Sequence, residues 1–304
     1  MPKISIGPQG VNAGFAGGNK SPELRGKVAG WSKGAARRNK RFLMTVDPDK
    51  LDGAGFALSL TVGRTPDTLK EWQLILSNFF KRLRRMGMIR AHWVVEWQSR
   101  GAPHIHMSVY FPETTDGSEW TTLHQAMNRH WLDLTGYLGT HLRGQHIVAI
   151  RDAAFWGAYM TKHAARGQEH YQRQQGLLPE AWEASGRMWG KFGLWPVSQD
   201  QFECDDATFY RFRRWVRRWQ RSKILQQLEA GKKFGNKRQV TAALGLLQLQ
   251  RRAGPGAARS RVLGIGMFCP KNTTLELLDL ARMHRRGWVK YCPPEERAGP
   301  QPIE

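Results

Sequence analysis

Between residues 41 and 163 the apolar and polar positions follow two alternating periods. Short runs enriched in β-branched and aromatic residues predict strands at Arg41 to Val46, Ala57 to Val62, His92 to Gln98, His104 to Phe111 and His146 to Arg151. Longer stretches with apolar residues three and four apart predict helices over Thr68 to Met86, opened by Pro66-Asp67 and ended near Gly87, and over Trp120 to Leu134. Asp152 to His163 has an acidic start and alanine-rich content, with Phe155, Tyr159 and Lys162 on one helix face. Ser99 to Pro103 is turn chemistry and folds the two central strands into an antiparallel hairpin. Helices between successive strands around a central hairpin predict an α+β fold, with an antiparallel sheet of ferredoxin-like or split βαβ type flanked by helices.

Outside this block the pattern changes. Met1 to Lys40 is rich in glycine, lysine and arginine without sustained periodicity, and reads as a mobile basic arm, residues 1–40. Residues 41–200 form the sheet domain. Residues 205–304 read as a basic, mostly helical region, with helices at Arg211 to Ala230 and Thr273 to Arg285, an apolar stretch at Val262 to Phe268 and a break at Gly254-Pro255-Gly256.

Composition narrows the partners. Lys and Arg number 47 against 25 Asp and Glu in 304 residues, a formal charge of +22, which favours polyanions. The cations cluster at Arg37 to Arg41, Lys81 to Arg85 and Arg211 to Arg221. In Phe209 to Trp219 they interleave with aromatics, either to stack bases and neutralise phosphates of single-stranded DNA, or as a helix with an aromatic core stripe and its arginines outside. No apolar run is long enough for a bilayer, no apolar h-region follows the N-terminal charges, and Cys204, Cys269 and Cys292 are isolated. A reducing cytoplasm without membrane association is expected. Neither Gly186 to Gly193 nor Gly231 to Lys237 satisfies GxxxxGK followed by Ser or Thr, so no nucleotide cofactor is expected.

The candidate chemistry lies in the hairpin. His104 and His106 alternate along a strand and so share a face, where they can hold one metal ion. The antiparallel partner brings Glu96 or Gln98 beside them. A carboxylate with two imidazoles suits Mn²⁺ or Mg²⁺, with positions open to a substrate oxygen. Two exposed strand histidines without a metal are the simpler reading of the spacing alone.

The run Val95-Glu96-Trp97-Gln98-Ser99-Arg100-Gly101-Ala102-Pro103-His104-Ile105-His106 resembles the His-hydrophobic-His motif of HUH endonucleases, in particular the rolling-circle replication initiators of bacterial plasmids and phages. Tyr159-Met160-Thr161-Lys162 has the order and YxxK spacing of that family. Arg41 to Val46 is similar to its first motif, an apolar strand ending near a threonine, and Gly186 to Gly193 to a glycine and tryptophan segment of one branch. The resemblance spans about Arg41 to Trp195. It implies an HUH fold, with His104 and His106 holding Mn²⁺ or Mg²⁺, Glu96 as third ligand and Gln98 in reserve. Tyr159 would attack a phosphate of single-stranded or hairpin origin DNA, giving a 5′-phosphotyrosine link and a primer 3′-OH, with Lys162 stabilising the phenolate or the transition state. Tyr137 and Tyr171 also lie downstream of the histidine pair, and neither has the lysine spacing. Arg100, Arg211, Arg213, Arg214, Arg217 and Arg218 are the candidate DNA contacts. Strand separation and synthesis would fall to a host helicase and DNA polymerase. Other classes are a conjugative relaxase, whose tyrosine usually precedes the histidine motif, a single-strand transposase, usually little more than the nuclease domain, and a non-enzymatic single-strand nucleic-acid-binding protein.

Overall fold

The computed structural model describes residues 1–15, 30–113, 116–152, 156, 171–173, 178–252 and 265–283. In chain order these form β1 (Pro2–Gly7), β2 (Gly10–Phe15), α1 (Lys33–Thr45), β3 (Ala54–Thr61), α2 (Leu69–Arg85), β4 (Arg90–Trp97), β5 (Pro103–Phe111), α3 (Gly117–Thr135) and β6 (His146–Ile150). After these come β7 (Trp189–Phe192), β8 (Asp200–Glu203), α4 (Asp206–Lys233), α5 (Lys237–Arg252), β9 (Ile265–Phe268) and α6 (Lys271–Met283). Two compact units result. Lys20–Ser198 makes a central unit, and Met1–Asn19 with Gln199–Glu304 makes a terminal unit.

The central unit is built on a five-stranded antiparallel sheet in the order β6-β3-β5-β4-β7. Strands β3 and β4 are joined through α2 and separated by β5, and α3 links β5 to β6, the split β-α-β connectivity expected from the sequence. Local signals place α2. Thr68 accepts from the Glu71 amide at 3.1 Å, Glu71 reaches back to the Asp67 amide at 2.8 Å, and Arg82, Arg84 and Arg85 occupy the last turn. Trp72, Ile75, Phe79 and Leu83 repeat at helical spacing and are buried. With Met127 and Trp131 of α3, they form one core with Phe56, Leu58, Leu60, Val95, Ile105, Met107 and Val109 of the sheet. The cross-strand pairs Leu58↔Met107 and Leu60↔Ile105 show that these residues share a face, which leaves the opposite face to polar residues.

Two expectations are corrected here. Arg41 to Val46 is not a strand: it is the end of α1, capped by Ser32 accepting from the Ala35 amide at 3.0 Å, with Asn39, Leu43 and Met44 buried. A short apolar run fits either period, and the capping serine and the alanines ahead of it decide for a helix. The first 15 residues are not part of a mobile arm either. They form the β1–β2 hairpin, and period-two burial of Ile4, Ile6, Val11 and Ala13 around Gly7 to Gly10 is visible in the sequence once this is known.

In the terminal unit that hairpin supplies the two middle strands of a four-stranded sheet, β8-β1-β2-β9. The region expected as mostly helical, residues 205–304, therefore also carries the edge strand β9, and β8 just before it forms the other edge of a sheet whose middle strands come from the far end of the chain. Its core joins Ile4, Ile6, Val11 and Ala13 to Phe209, Phe212, Trp215 and Val216 of α4 and to Leu277, Leu278 and Ala281 of α6. A smaller cluster of Ile224, Leu228, Ala243 and Leu247 packs α4 on α5. No described helix is long and apolar enough to cross a membrane.

Candidate active site

Hairpin β4–β5 turns through Gln98 to Ala102, closed by hydrogen bonds from the Gln98 amide to the Ala102 carbonyl and from the Gly101 amide to the Gln98 carbonyl, each 2.9 Å. Gly101 has φ 79°, a conformation that favours glycine. The resulting register sets Glu96 opposite His104 and Val94 opposite His106, while β3 sets Ser59 opposite His106 and Thr61 opposite His104. All of these lie on the polar face of the sheet.

On that face the side chains converge. His104 Nε2 and His106 Nε2 are 2.6 Å apart, and His106 Nε2 is 3.6 Å from Glu96 Oε2. One donor atom from each of Glu96, His104 and His106 lies within 4.8 Å of the others. The outer contacts select which atoms face inward. Ser59 Oγ is 2.7 Å from His106 Nδ1, which leaves Nε2 toward Glu96 and His104. Arg173 Nε donates to Glu96 Oε1 at 2.8 Å, which leaves Oε2 toward the histidines. Glu96 and Arg173 are both fully buried. Arg173 also lies over the Trp31 ring at 4.0 Å, and the Trp31 indole donates to the Val95 carbonyl at 2.8 Å. A buried carboxylate is costly unless paired, and here a guanidinium and an imidazole flank it. Since Arg173 balances the Glu96 charge, a divalent ion in this donor set would present nearly its full charge to a phosphate. Two imidazole nitrogens and one carboxylate oxygen, with His106 and Glu96 each oriented by a second partner, suit Mn²⁺ or Mg²⁺ with open positions.

Ser59, Trp31 and Arg173 were not found from sequence. Period two in Ala57 to Val62 places Ser59 on a polar face, but nothing local marks its contact with His106. Arg173 and Trp31 lie 77 and 65 positions from Glu96 in the chain, with no motif around them.

The other predicted residues divide. Tyr159 and Lys162 lie outside the described residues. Tyr137 follows α3 and donates to Glu71, and partial burial and that carboxylate push its hydroxyl up to about 12, unfavourable for a nucleophile. Tyr171 begins the single turn Tyr171–Arg173 that delivers Arg173 to Glu96. Gln98, the reserve ligand, accepts from Arg100 Nε at 2.8 Å. Arg100 also donates to the Val62 and Gly63 carbonyls, so it braces the hairpin turn against the end of β3. Gly190 packs on Trp93, where an added Cβ would meet the ring at 2.3 Å, so close packing accounts for a glycine in the 186–193 segment.

On α4 the aromatic stripe within Phe209 to Trp219 faces the core, while the arginines divide. Phe209, Phe212 and Trp215 are core residues and offer no base-stacking platform. Arg211 donates to the Ala281 carbonyl at 2.7 Å and to Thr208 at 3.0 Å, and Arg213 is buried with its guanidinium 5.2 Å from the Tyr210 ring centre. Burial also pulls the Arg213 guanidinium below its ordinary value. Arg214 and Arg218 are exposed and Arg217 half-buried.

Residues 56–166 match the family model described as replication-associated protein ORF2/G2P. A protein of Xylella fastidiosa (strain 9a5c), provisionally named a replication protein, is 40% identical over 298 residues, covering 95% of this chain and 98% of the relative. A second, provisionally named in the same way, from strain Temecula1 is 45% identical over 229 residues, 72% of this chain and 85% of the relative. The replication-associated protein G2P of Pseudomonas phage Pf3 is 38% identical over 271 residues, 88% and 91% of the two chains. No solved structure matches significantly.

Proposed function

This chain belongs to the replication-associated protein ORF2/G2P family, and on that premise we propose that it initiates rolling-circle replication by nicking and rejoining single-stranded origin DNA as an HUH endonuclease. The observation that carries the proposal is the convergence of Glu96, His104 and His106 on the polar face of the sheet, inside the family match. These three would hold Mn²⁺ or Mg²⁺, whose contribution when bound is Lewis-acid stabilisation of charge on the scissile phosphate. Ser59 fixes the His106 ring and Arg173 fixes the Glu96 carboxylate, so both ligands are oriented before substrate arrives.

The Tyr159 hydroxyl attacks phosphorus. Its proton is lost, the tyrosyl O–P bond forms, and the bond from phosphorus to the 3′ oxygen breaks; that oxygen takes a proton and leaves as a 3′-OH. The DNA 5′ end stays on Tyr159 as a phosphodiester, and the reverse transfer rejoins the strand. Lys162, three positions on, supplies the cation that offsets phenolate or transition-state charge. The 3′-OH primes a polymerase, and a host helicase opens the duplex.

The test is incubation with origin single strands under Mn²⁺ or Mg²⁺, followed by denaturation and peptide mapping of the DNA-linked tyrosine. Tyr159→Phe is expected to keep the fold and lose the adduct, while Tyr171→Phe retains it. Phosphate mapped to Tyr171, or adduct formation in excess EDTA, overturns the assignment.

A further inference from the structure

We propose that the outward face of α4 binds the phosphate backbone of duplex DNA through Arg214, Arg217, Arg218 and Arg221. At 3.6 residues per turn these four lie within an arc of about 100° and span about 10.5 Å along the axis, a compact guanidinium patch over two turns. Arg214, Arg218 and Arg221 are exposed, and Arg217 lies half-buried beside them.

Counter-charge is sparse on this helix. The helix carries nine Lys and Arg, counted over 206–233, against Asp206 and Glu229 alone. Glu229 pairs with Lys232 at 3.1 Å, and among the described residues none forms an ion pair with Arg214, Arg217 or Arg221. Arg218 lies against Trp215, 5.4 Å from its ring centre, at the border between core and patch. Arginine presents a planar fork that matches phosphate oxygens.

The class of partner follows from what the face lacks. Single-strand binders combine cations with aromatics on which bases stack. Here Phe209, Phe212 and Trp215 are spent in the core beneath the patch, and the half-buried Tyr210 and Trp219 pack against that core. A surface dominated by guanidinium reads charge, and duplex DNA carries about one charge per 1.7 Å of axis, the denser target. Arg211 and Arg213, committed to Ala281, Thr208 and Tyr210, are outside the patch. The inference needs neither the metal nor Tyr159, so it stands apart from the nicking reading. It gives the terminal unit a task of its own, gripping origin duplex without reading sequence.

The experiment measures Kd of the full chain by fluorescence anisotropy, in EDTA, for a duplex and for one of its strands, between about 50 and 200 mM salt. Replacing all four arginines by glutamine is expected to weaken duplex binding and lower the magnitude of the log Kd against log salt slope by about 0.9 per lost contact, about 3.6 in total. The four-lysine counterpart keeps most of the slope, since charge is retained. Circular dichroism and Tm report that each variant is folded. An unchanged duplex slope in the folded glutamine variant overturns the proposal, and so does a fall confined to the single strand. If no Tyr159 adduct ever forms while the duplex slope falls as expected, the nicking reading fails and this one survives.

Discussion

In the central unit polar and charged groups lie beneath the surface: Glu96 and His92 are fully buried and His106 almost so on one face of a sheet whose other face is apolar, and the fully buried Arg173 pairs with Glu96. In the terminal unit the arrangement is reversed on α4. Phe209, Phe212 and Trp215 fill the interior, and Arg214, Arg218 and Arg221 reach outward. Both units lay helices on an antiparallel sheet, so the layer architecture does not explain the difference. Burying ions costs several kcal/mol each before pairing, and a sheet that accepts that cost at Glu96 keeps donor atoms fixed in a dry setting. Exposed cations cost little, hold no fixed geometry, and act through number and salt-sensitive attraction. Under the two proposals above, the buried site serves chemistry and the exposed face serves grip.

Breaking the buried pair is expected to have the largest effect on stability. Arg173→Met leaves the Glu96 carboxylate buried without its guanidinium and is expected to cost about 3–5 kcal/mol; Glu96→Gln with Arg173→Met removes both charges and is expected to recover much of that. Urea unfolding of the two variants decides, and equal losses would show that pairing is not what holds Glu96.

Next is the donor set. His104→Ala and His106→Ala are each expected to abolish the Tm rise on adding Mn²⁺, which at about 100 Kd of free ion corresponds to about 2.7 kcal/mol, and to abolish nicking while duplex affinity in EDTA is kept. A full Mn²⁺ shift in either variant would remove that histidine from the ligand set.

Gly190→Ala tests close packing without charge. Its Cβ would sit 2.3 Å from the Trp93 ring, and overpacking of this kind is expected to cost about 1–3 kcal/mol, read as a shift in urea midpoint with the slope unchanged.

The smallest effects are on the terminal unit. Each single Arg→Gln at 214, 217, 218 or 221 is expected to change unfolding free energy by less than about 0.5 kcal/mol, measured by urea titration. Cys269 is buried, and burial pushes its thiol up to about 11 from an ordinary 9.0. The folded form holds this proton more tightly than the unfolded form. The stability it contributes is whole below pH 9.0 and is lost as pH rises toward 11. Iodoacetamide labelling of Cys269 at pH 9 is therefore expected to be slow in the folded protein and fast in urea, and equal rates would show the site open.

Much of the central sheet was legible because its signals are local. The capping at Thr68 and Glu71, the alternation through Ala57 to Val62 and the turn at Gly101 each act within a few residues, and the order β-α-β-β-α-β follows from them. The donor set was legible for a related reason: one hairpin carries Glu96, His104 and His106, and a hairpin's register is fixed by its turn. Glu96 or Gln98 stayed open because strand alternation gives both the same face; in the structure Glu96 Oε2 lies 3.6 Å from His106 Nε2, while Gln98 accepts from Arg100.

The sequence by itself determined four of the five strands of the central sheet, β3 to β6, the face shared by the two histidines, and the excess of positive charge, since propensity, periodicity and net charge are additive along the chain. Only tertiary structure decided that residues 2–15 complete the sheet of the C-terminal region, that Arg173 and Trp31 lock Glu96, and that the aromatics of α4 turn inward while four arginines turn out. Those outcomes depend on which distant surfaces bury one another. Burial is a property of pairs of segments, and no window of sequence contains both members.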